Sequence, residues 1–200
     1  MIRTPQALIP YIAMTAAVLA GTLWSLGSGT LQIGAVVVTS GTADIGGPFR
    51  LLDQDGRIRT DRDFRGRYML VYFGYSFCPD VCPTTLAVMQ GALDRLGAKA
   101  NRIVPVFVSV DPARDSPAVL KAYLANFGPR FVGLTGSPRA VARIAREYHV
   151  YYSKQPLAGG SYAVNHSSQI YLMDPGGRFV AVYEETLGPG GLAAELGKRV

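Results

Sequence analysis

The sequence predicts an α/β domain that follows an apolar N-terminal segment. Two continuous apolar runs, residues 68–75 and 103–110, are typical of strands covered on both faces. Residues with helical spacing follow each run, as expected of strands joined by helical crossovers. The distribution of charge separates the two parts, because this 200-residue chain has no charged side chain between Thr4 and Ala43.

Residues 8–26 are predicted to form a helix that spans a membrane. The stretch is mostly apolar and close to the roughly 20 residues that cross a bilayer. Arg3 precedes it and Trp24 lies near its end, so the positive-inside tendency places the N-terminus in the cytoplasm and the rest of the chain outside. A cleaved signal peptide and a buried helix are the alternatives. Against cleavage, the stretch is longer than a signal-peptide core, and no clean small-x-small site follows it.

This prediction divides the chain into three parts. Residues 1–26 are the membrane anchor, residues 27–45 are a tether rich in glycine, serine and threonine, and residues 46–200 are the folded domain. The net charge of +6 is too weak and too scattered to indicate nucleic acid binding, and no stacking motif accompanies it.

The folded domain begins with a predicted hairpin at residues 49–60, where two short strands flank a turn that ends at Gly56. After the strand at residues 68–75, a helix is predicted at residues 83–96, because leucine and methionine recur there at helical spacing. Gly97 is a typical residue to end that helix.

The second half of the domain repeats these elements after the strand at residues 103–110. Ser116 and Ser137 each precede a proline, and a serine cap followed by proline is typical of a helix start. A second hairpin is predicted at residues 169–183 and a short helix at residues 191–198. This order predicts a thioredoxin-like fold, in which helices cover both faces of an α/β sheet.

The only cysteines, Cys78 and Cys82, lie on the loop that leaves the strand at residues 68–75. Open α/β sheets bind ligands at this end of their strands. Pro79 and Pro83 disfavour the α conformation of the cysteine before each of them, so the two sulfurs are expected to face one point across a short loop. Cys82 is predicted just before a helix N-terminus, which stabilises a thiolate.

The chain has two histidines, and a histidine beside two thiolates would complete a site with two cysteines and one histidine that suits copper. His149 ends a predicted helix and is expected to be a packing or surface residue. His166 is predicted in the loop before the second hairpin, which faces the cysteine loop in a thioredoxin-like fold. Its residue pattern leaves two interpretations open, a third ligand or a surface residue.

Two functions of different classes follow from the thiols. One is a domain that binds and delivers copper, and the other is a thiol–disulfide oxidoreductase. Three residues separate the cysteines, where thioredoxin-type enzymes have two, and the proline that those enzymes carry before the final hairpin is missing. Both differences favour copper delivery. A purely structural disulfide is the remaining alternative, and a peroxidase has no support.

Several motifs resemble one protein family. Together they closely resemble the SCO/SenC family of membrane-tethered copper-binding proteins, which serve cytochrome c oxidase assembly. The resemblance covers about residues 46–183 and is carried by residues 46–49, 53–56 and 63–75, by Cys78-Pro79-Asp80-Val81-Cys82-Pro83, by residues 109–117, and by His166 with residues 171–175.

The resemblance implies that Cys78, Cys82 and His166 are copper ligands. It further implies a copper chaperone, rather than an enzyme, that helps to mature the dinuclear copper centre of the oxidase. Its partners would be the copper-bearing oxidase subunit and a periplasmic copper donor or thiol reductant. Its location would be a bacterial inner membrane, crossed once, with the domain in the periplasm. The alternative within this resemblance is a periplasmic oxidoreductase that reduces the cysteines of the copper-site client.

The sequence departs from the family pattern at two places. Ser76-Phe77 stands where the family usually has threonine and histidine, and Asn165 stands where it usually has aspartate. Neither position is a ligand, so copper binding is expected to survive, but loss of a carboxylate beside the imidazole predicts weaker support of that ligand. Asp80 matches the family and is either a carboxylate that contacts a partner or the metal's surroundings, or a turn-forming residue before the helix.

Overall fold

The structure is a computed structural model that describes Val38–Thr39 and residues 44–200. The predicted membrane helix at residues 8–26 lies outside the described residues, and so does most of the predicted tether. Among the helices that the structure describes, none is long and apolar enough to cross a membrane.

The described part of the chain forms ten strands. They are β1 Val38–Thr39, β2 Arg50–Asp53, β3 Ile58–Thr60, β4 Tyr68–Gly74, β5 Ile103–Ser109, β6 Val132–Thr135, β7 Tyr152–Pro156, β8 Tyr162–His166, β9 Ile170–Met173 and β10 Phe179–Tyr183. Eight of these strands form the main sheet, in the order β1-β10-β9-β4-β5-β6-β2-β3. Its centre consists of parallel strands β4, β5 and β6, with β9 antiparallel to β4. A separate two-stranded sheet pairs β7 with β8.

Both predicted hairpins and both predicted buried strands are confirmed. All seven residues of β5 and six of the seven residues of β4 are buried. This burial explains their continuous apolar sequence, since neither face of these strands meets water.

Helices cover both faces of the sheet, as the fold prediction requires. Successive residues of β4 point to opposite faces. On one face, Tyr72 lies beside Phe107, which in turn contacts Tyr123 of a helix; on the other, Phe73 contacts Tyr148. The helices are α1 Val81–Leu96, α2 Pro117–Leu124, α3 Pro138–Glu147 and α4 Gly188–Gly197. Helix α4 packs against α1, and Tyr148 directly follows α3.

The two predicted serine caps are confirmed. Ser116 Oγ accepts a hydrogen bond from the backbone N–H of Val119 at 3.3 Å, and Ser137 Oγ accepts one from Ala140 at 3.2 Å. Each serine therefore satisfies one of the N–H groups that lack a partner at the start of a helix.

Helix α1 begins at Val81, two residues earlier than predicted, so the expectation that Cys82 precedes the helix is wrong. Cys82 lies within the first turn. Pro83 does not prevent this, because N–H groups of the first turn have no partner within the helix and their loss costs little there.

Strands β6, β7 and β8 were not predicted, and the placement of His166 in a loop is wrong. His166 is the last residue of β8 and pairs with Tyr152 of β7. Only Val164 is buried in these two strands, so they lack the apolar alternation by which a half-buried strand is recognised. We call β7 and β8 together the ribbon.

Candidate metal centre

The cysteine loop joins the end of β4 to the first turn of α1. The backbone N–H of Cys78 donates to the carbonyl of Tyr75 at 3.3 Å, which turns the chain back after the strand. The backbone N–H of Cys82 points at Cys78 Sγ, with a distance of 3.5 Å between nitrogen and sulfur. Cys78 is half-buried, Cys82 is fully buried, and the two thiols are free. The two sulfurs therefore face one point, as the sequence predicts.

The ribbon brings His166 to the same point. Its Nε2 atom lies 3.3 Å from Cys82 Sγ, and its Nδ1 atom lies 2.9 Å from the carbonyl oxygen of Ser167. Because a carbonyl oxygen can only accept, Nδ1–H donates this hydrogen bond, and the ring is held with Nε2 directed toward the sulfurs. The rings of Tyr72 and Tyr75 meet the imidazole edge-on, with centroid distances of 6.1 and 5.9 Å.

One ligand atom each from Cys78, Cys82 and His166 lies within 4.8 Å of the others. Within residues 38–39 and 44–200, this is the only group of three or more cysteine, histidine or acidic side chains that could hold a metal ion. His149 does not belong to it, since its Nε2 contacts the carbonyl oxygen of Asp44 at 3.0 Å and its side chain is exposed.

Gly74 makes room for the sulfur of Cys82. A Cβ atom at this position would lie 2.9 Å from Cys82 Sγ and 2.9 Å from the ring of Phe107. Both distances are shorter than the normal contact between such atoms. A glycine is therefore favoured at the end of β4. The sequence does not reveal this role, because nothing in the local pattern shows which atoms approach from α1.

The two thiols differ strongly in acidity. A hydrogen bond from the Cys82 thiol is the main cause that lowers the pKa of Cys78 to about 3. Partial burial opposes this shift, and hydrogen bonds from His166 and from backbone N–H groups support it. The hydrogen bond between the two cysteines, together with burial, raises the pKa of Cys82. The metal-free pair therefore holds one proton at neutral pH, with Cys78 as the thiolate and Cys82 as the thiol.

A buried carboxylate holds the start of the cysteine loop. Asp115 accepts hydrogen bonds from the backbone N–H of Ser76 at 3.1 Å and from the hydroxyls of Ser76 and Ser109. Burial raises the pKa of Asp115, and the hydrogen bonds from both serines oppose that rise. Asp115 thereby ties the residues before Cys78 to the end of β5. In the sequence, Asp115 is only one of residues 109–117 that resemble the family, and its pattern indicates no role.

The site opens to solvent through a cavity of about 300 Å³. Its lining residues are Cys78, Val81, Val164, Asn165, His166, Ser168 and Glu185. Asn165, one of the two departures from the family pattern, thus lies at the mouth of the site, whereas Phe77 is exposed and packs against the Arg114 guanidinium at 5.0 Å. Asp80 caps α1 by position only, because its exposed side chain makes no capping hydrogen bond.

Residues 37–200 of this chain match the family model of SCO1/SenC proteins. The mitochondrial SCO1 homolog 2 of Arabidopsis thaliana is 45% identical over 157 residues, which are 78% of this chain and 57% of that protein. The chain belongs to the SCO1/SenC family. It spans 44% to 63% of the length of the first three curated relatives that it matches, so it corresponds to about half of those proteins.

Solved SCO structures share the fold. Bradyrhizobium japonicum ScoI, solved with copper bound, is 43% identical, has a TM-score of 0.73, and aligns over 78% of this chain and 99% of that one. BsSco, described as a cytochrome c oxidase assembly protein with a disulfide switch, is 25% identical, has a TM-score of 0.59, and aligns over 74% of this chain and 87% of that one. The thioredoxin-like α/β prediction is confirmed for the described domain.

Proposed function

We propose that this chain is a copper chaperone that takes up one copper ion through Cys78, Cys82 and His166 and assists assembly of the dinuclear copper centre of cytochrome c oxidase. The observation that carries the proposal is the convergence of two sulfurs and an imidazole nitrogen within 4.8 Å at the mouth of an open cavity. Membership of the SCO1/SenC family and the copper-bound relative support the same metal.

The chemistry of the donors favours copper. Thiolate sulfur is a soft ligand that suits Cu(I), and imidazole suits Cu(II) as well. His166 already directs Nε2 toward the sulfurs, and Cys78 is already a thiolate. Of the two cysteines, only Cys82 must lose a proton when the ion binds. Copper here is cargo: half-buried Cys78 and the open cavity leave a path by which the ion can pass to a partner.

A second candidate function is reduction of the client's own cysteines, so that copper can enter them. The low pKa of Cys78 favours it, because a thiolate is the form that attacks a disulfide. Cys78 would attack the client disulfide and release one client thiolate. Cys82 would then displace the second, so that two electrons pass to the client and a Cys78–Cys82 disulfide remains.

We also propose that residues 8–26 anchor the domain to a bacterial inner membrane, with the domain in the periplasm. The part of residues 27–45 that precedes β1 would act as the tether, since Val38–Thr39 pair with β10 in the main sheet. The support is the charge-free stretch after Arg3. Extraction of the full-length chain from membranes only by detergent is the expected result. Recovery in the soluble fraction, or an N-terminus that begins after Trp24, would contradict it.

Metal analysis of the full chain tests the copper proposal. The reduced protein should bind one copper ion per chain, and oxidation to the Cys78–Cys82 disulfide should remove the binding. Elemental analysis after desalting gives the stoichiometry. Full copper content in a Cys78→Ala, Cys82→Ala double variant would refute the assignment.

To separate the two candidate functions, the reduced metal-free protein is mixed with an oxidised client and with insulin. A chaperone that only delivers copper leaves both disulfides intact, whereas a dedicated reductant reduces the client and leaves insulin intact. Rapid reduction of insulin would indicate a general oxidoreductase instead.

A further inference from the structure

The ribbon that carries His166 has little support from the core. It forms a two-stranded sheet of its own, and Val164 is its single buried residue. An isolated two-stranded hairpin is marginally stable in water, because it buries too little apolar surface. The Nε2 atom of His166 nevertheless has to stay 3.3 Å from Cys82 Sγ. Some contact outside the ribbon must therefore hold it in place.

Asp111 and Arg114, which lie outside the ribbon, supply that contact to Tyr162 of β8. We call these three residues the ribbon anchor. The Tyr162 hydroxyl donates to Asp111 Oδ1 at 2.8 Å, and Arg114 Nη1 donates to the carbonyl oxygen of Tyr162 at 2.9 Å. The Arg114 guanidinium also lies 3.8 Å from the centroid of the Tyr162 ring and forms an ion pair with Asp111. Tyr162, the first residue of β8, is thus held by its hydroxyl, its ring and its backbone.

Burial of Asp111 restricts the ribbon to one favoured position. Asp111 is completely buried, and a buried carboxylate is costly unless it is paired and hydrogen-bonded. Arg114 and the Tyr162 hydroxyl supply that pairing, with Lys154 of β7 farther away at 3.9 Å. Any displacement of the ribbon would strip the carboxylate of a hydrogen bond, so the ribbon has one favoured position.

The same guanidinium also contacts the cysteine loop. Arg114 lies 5.5 Å from the ring centroid of Tyr75 and 5.0 Å from that of Phe77, the residue before Cys78. Arg114 therefore lies between the two segments that carry the candidate ligands. The cysteines have separate support from α1 and from Asp115. The backbone of His166 belongs to the ribbon, and outside it the rings of Tyr72 and Tyr75 contact the imidazole.

We propose that the ribbon anchor positions His166, four residues along the same strand from Tyr162, and thereby sets the imidazole contribution to the metal site. The inference rests on the proposed copper binding. Its components are positioning residues, since none of the three belongs to the group of candidate ligand atoms. Loss of the anchor should weaken the complex that depends on the imidazole, Cu(II), and spare the complex that two thiolates can hold, Cu(I).

The test compares Tyr162→Ala and Tyr162→Phe with Arg59→Gln in the full chain. Arg59 donates a hydrogen bond to buried Asp53 at 2.8 Å in the hairpin at the β3 edge of the sheet. Arg59→Gln is therefore a control for the loss of a hydrogen bond to a buried carboxylate away from the site. Affinities for Cu(I) and Cu(II) are measured by competition with chelators. The sulfur-to-Cu(II) absorption and the electron paramagnetic resonance spectrum report the ligand set.

Tyr162→Ala should lower the Cu(II) affinity by about tenfold or more, the range seen when the support of a metal-bound histidine is removed. Its Cu(II) absorption and electron paramagnetic resonance spectra should depart from those of wild type, as expected of a weakened imidazole ligand. Its Cu(I) affinity should stay within about threefold of wild type, since two thiolates suffice for Cu(I). Tyr162→Phe, which keeps the ring, should show a smaller change in the same direction. Arg59→Gln should change neither affinity.

A wild-type Cu(II) spectrum and affinity in Tyr162→Ala would overturn the inference, and so would equal losses of Cu(I) and Cu(II). If the wild-type chain bound no copper, the proposed function would fail, and a measurement on the metal-free protein would still test the inference.

In nuclear magnetic resonance spectra of the metal-free protein, the imidazole resonances of His166 should move in Tyr162→Ala and stay in place in Arg59→Gln. Unchanged resonances in both would refute the ribbon anchor.

Discussion

The cysteine loop and the ribbon reach the same point by opposite routes. Cys78 and Cys82 are four residues apart and emerge from a strand and helix of the core. His166 is 84 residues from Cys82 and lies on a ribbon with a single buried residue. The thiols are therefore a local feature of a rigid element, whereas the imidazole depends on contacts between distant segments. The comparison predicts that damage to the two parts will have different consequences.

The largest effect is expected from removal of the ligands themselves. Cys78→Ala with Cys82→Ala should abolish stoichiometric binding of both copper oxidation states, whereas His166→Ala should abolish stable Cu(II) binding and leave Cu(I) binding measurable, because two thiolates can hold Cu(I). Titration of each variant with both ions measures this. His149→Ala is the control and should bind as wild type. Loss of Cu(II) in His149→Ala with normal binding in His166→Ala would reverse the assignment.

The second prediction concerns the two thiols. Cys78 should react with iodoacetamide at an undiminished rate at pH 5, because its lowered pKa of about 3 keeps it a thiolate until the pH falls through that value. Cys82, whose pKa is raised and whose side chain is buried, should remain protected across neutral pH. Mass spectrometry of the alkylated peptides gives both rates. A common pKa of roughly 8.5, the value for free cysteine, would contradict the shared proton.

The third prediction tests how tightly the cysteine loop is built into the core. Gly74→Ala places a Cβ atom 2.9 Å from Cys82 Sγ and should lower the free energy of unfolding by about 1–3 kcal/mol, as expected of overpacking. Denaturant unfolding of the metal-free protein measures it. Gly190→Ala in α4 is the matched control, because its added Cβ meets no atom within 4 Å. Equal stability of the two variants would show that the loop yields easily.

The smallest effect is expected at Asn165, on the ribbon side of the cavity. Asn165→Asp restores the carboxylate that the family pattern usually has there and should raise Cu(II) affinity by less than about tenfold, the lower limit for changes in the groups that support a metal ligand. Asn126→Asp, on the exposed surface after α2, controls for the added charge. A fall in affinity for Asn165→Asp alone would contradict the expected support.

The sequence predicted the core elements well because their signals are local. Strands β4 and β5 are buried on both faces, so their apolar runs are continuous, and the serine caps of α2 and α3 contact residues three positions away. The convergence of Cys78 and Cys82 is local in the same sense. The start of α1 was predicted two residues late. The prediction relied on the preference of a residue before proline for extended backbone, and the first turn of a helix can override that preference.

The rest depends on contacts between distant residues. The ribbon has no apolar alternation, so its strands could not be recognised, and the family resemblance rather than the residue pattern selected His166. Asp111, Asp115 and Gly74 have roles only because other segments approach them in space. In the sequence these residues appear only as members of a motif, and nothing there shows which side chains they contact.

Because the two strands of the ribbon pair in a fixed register, insertions at different positions in the ribbon should have different effects on His166. His166 pairs with Tyr152 at one end of the ribbon. Tyr162 pairs with Pro156 at the other end, where the exposed turn of residues 157–161 joins the two strands. Added residues in that turn lie beyond Tyr162 and leave the spacing from Tyr162 to His166 intact. A single residue added between Tyr162 and His166 would instead reverse the face on which the histidine projects. Length variation should therefore be tolerated in the turn and excluded from the strand, a rule that could guide insertion of a reporter into this protein.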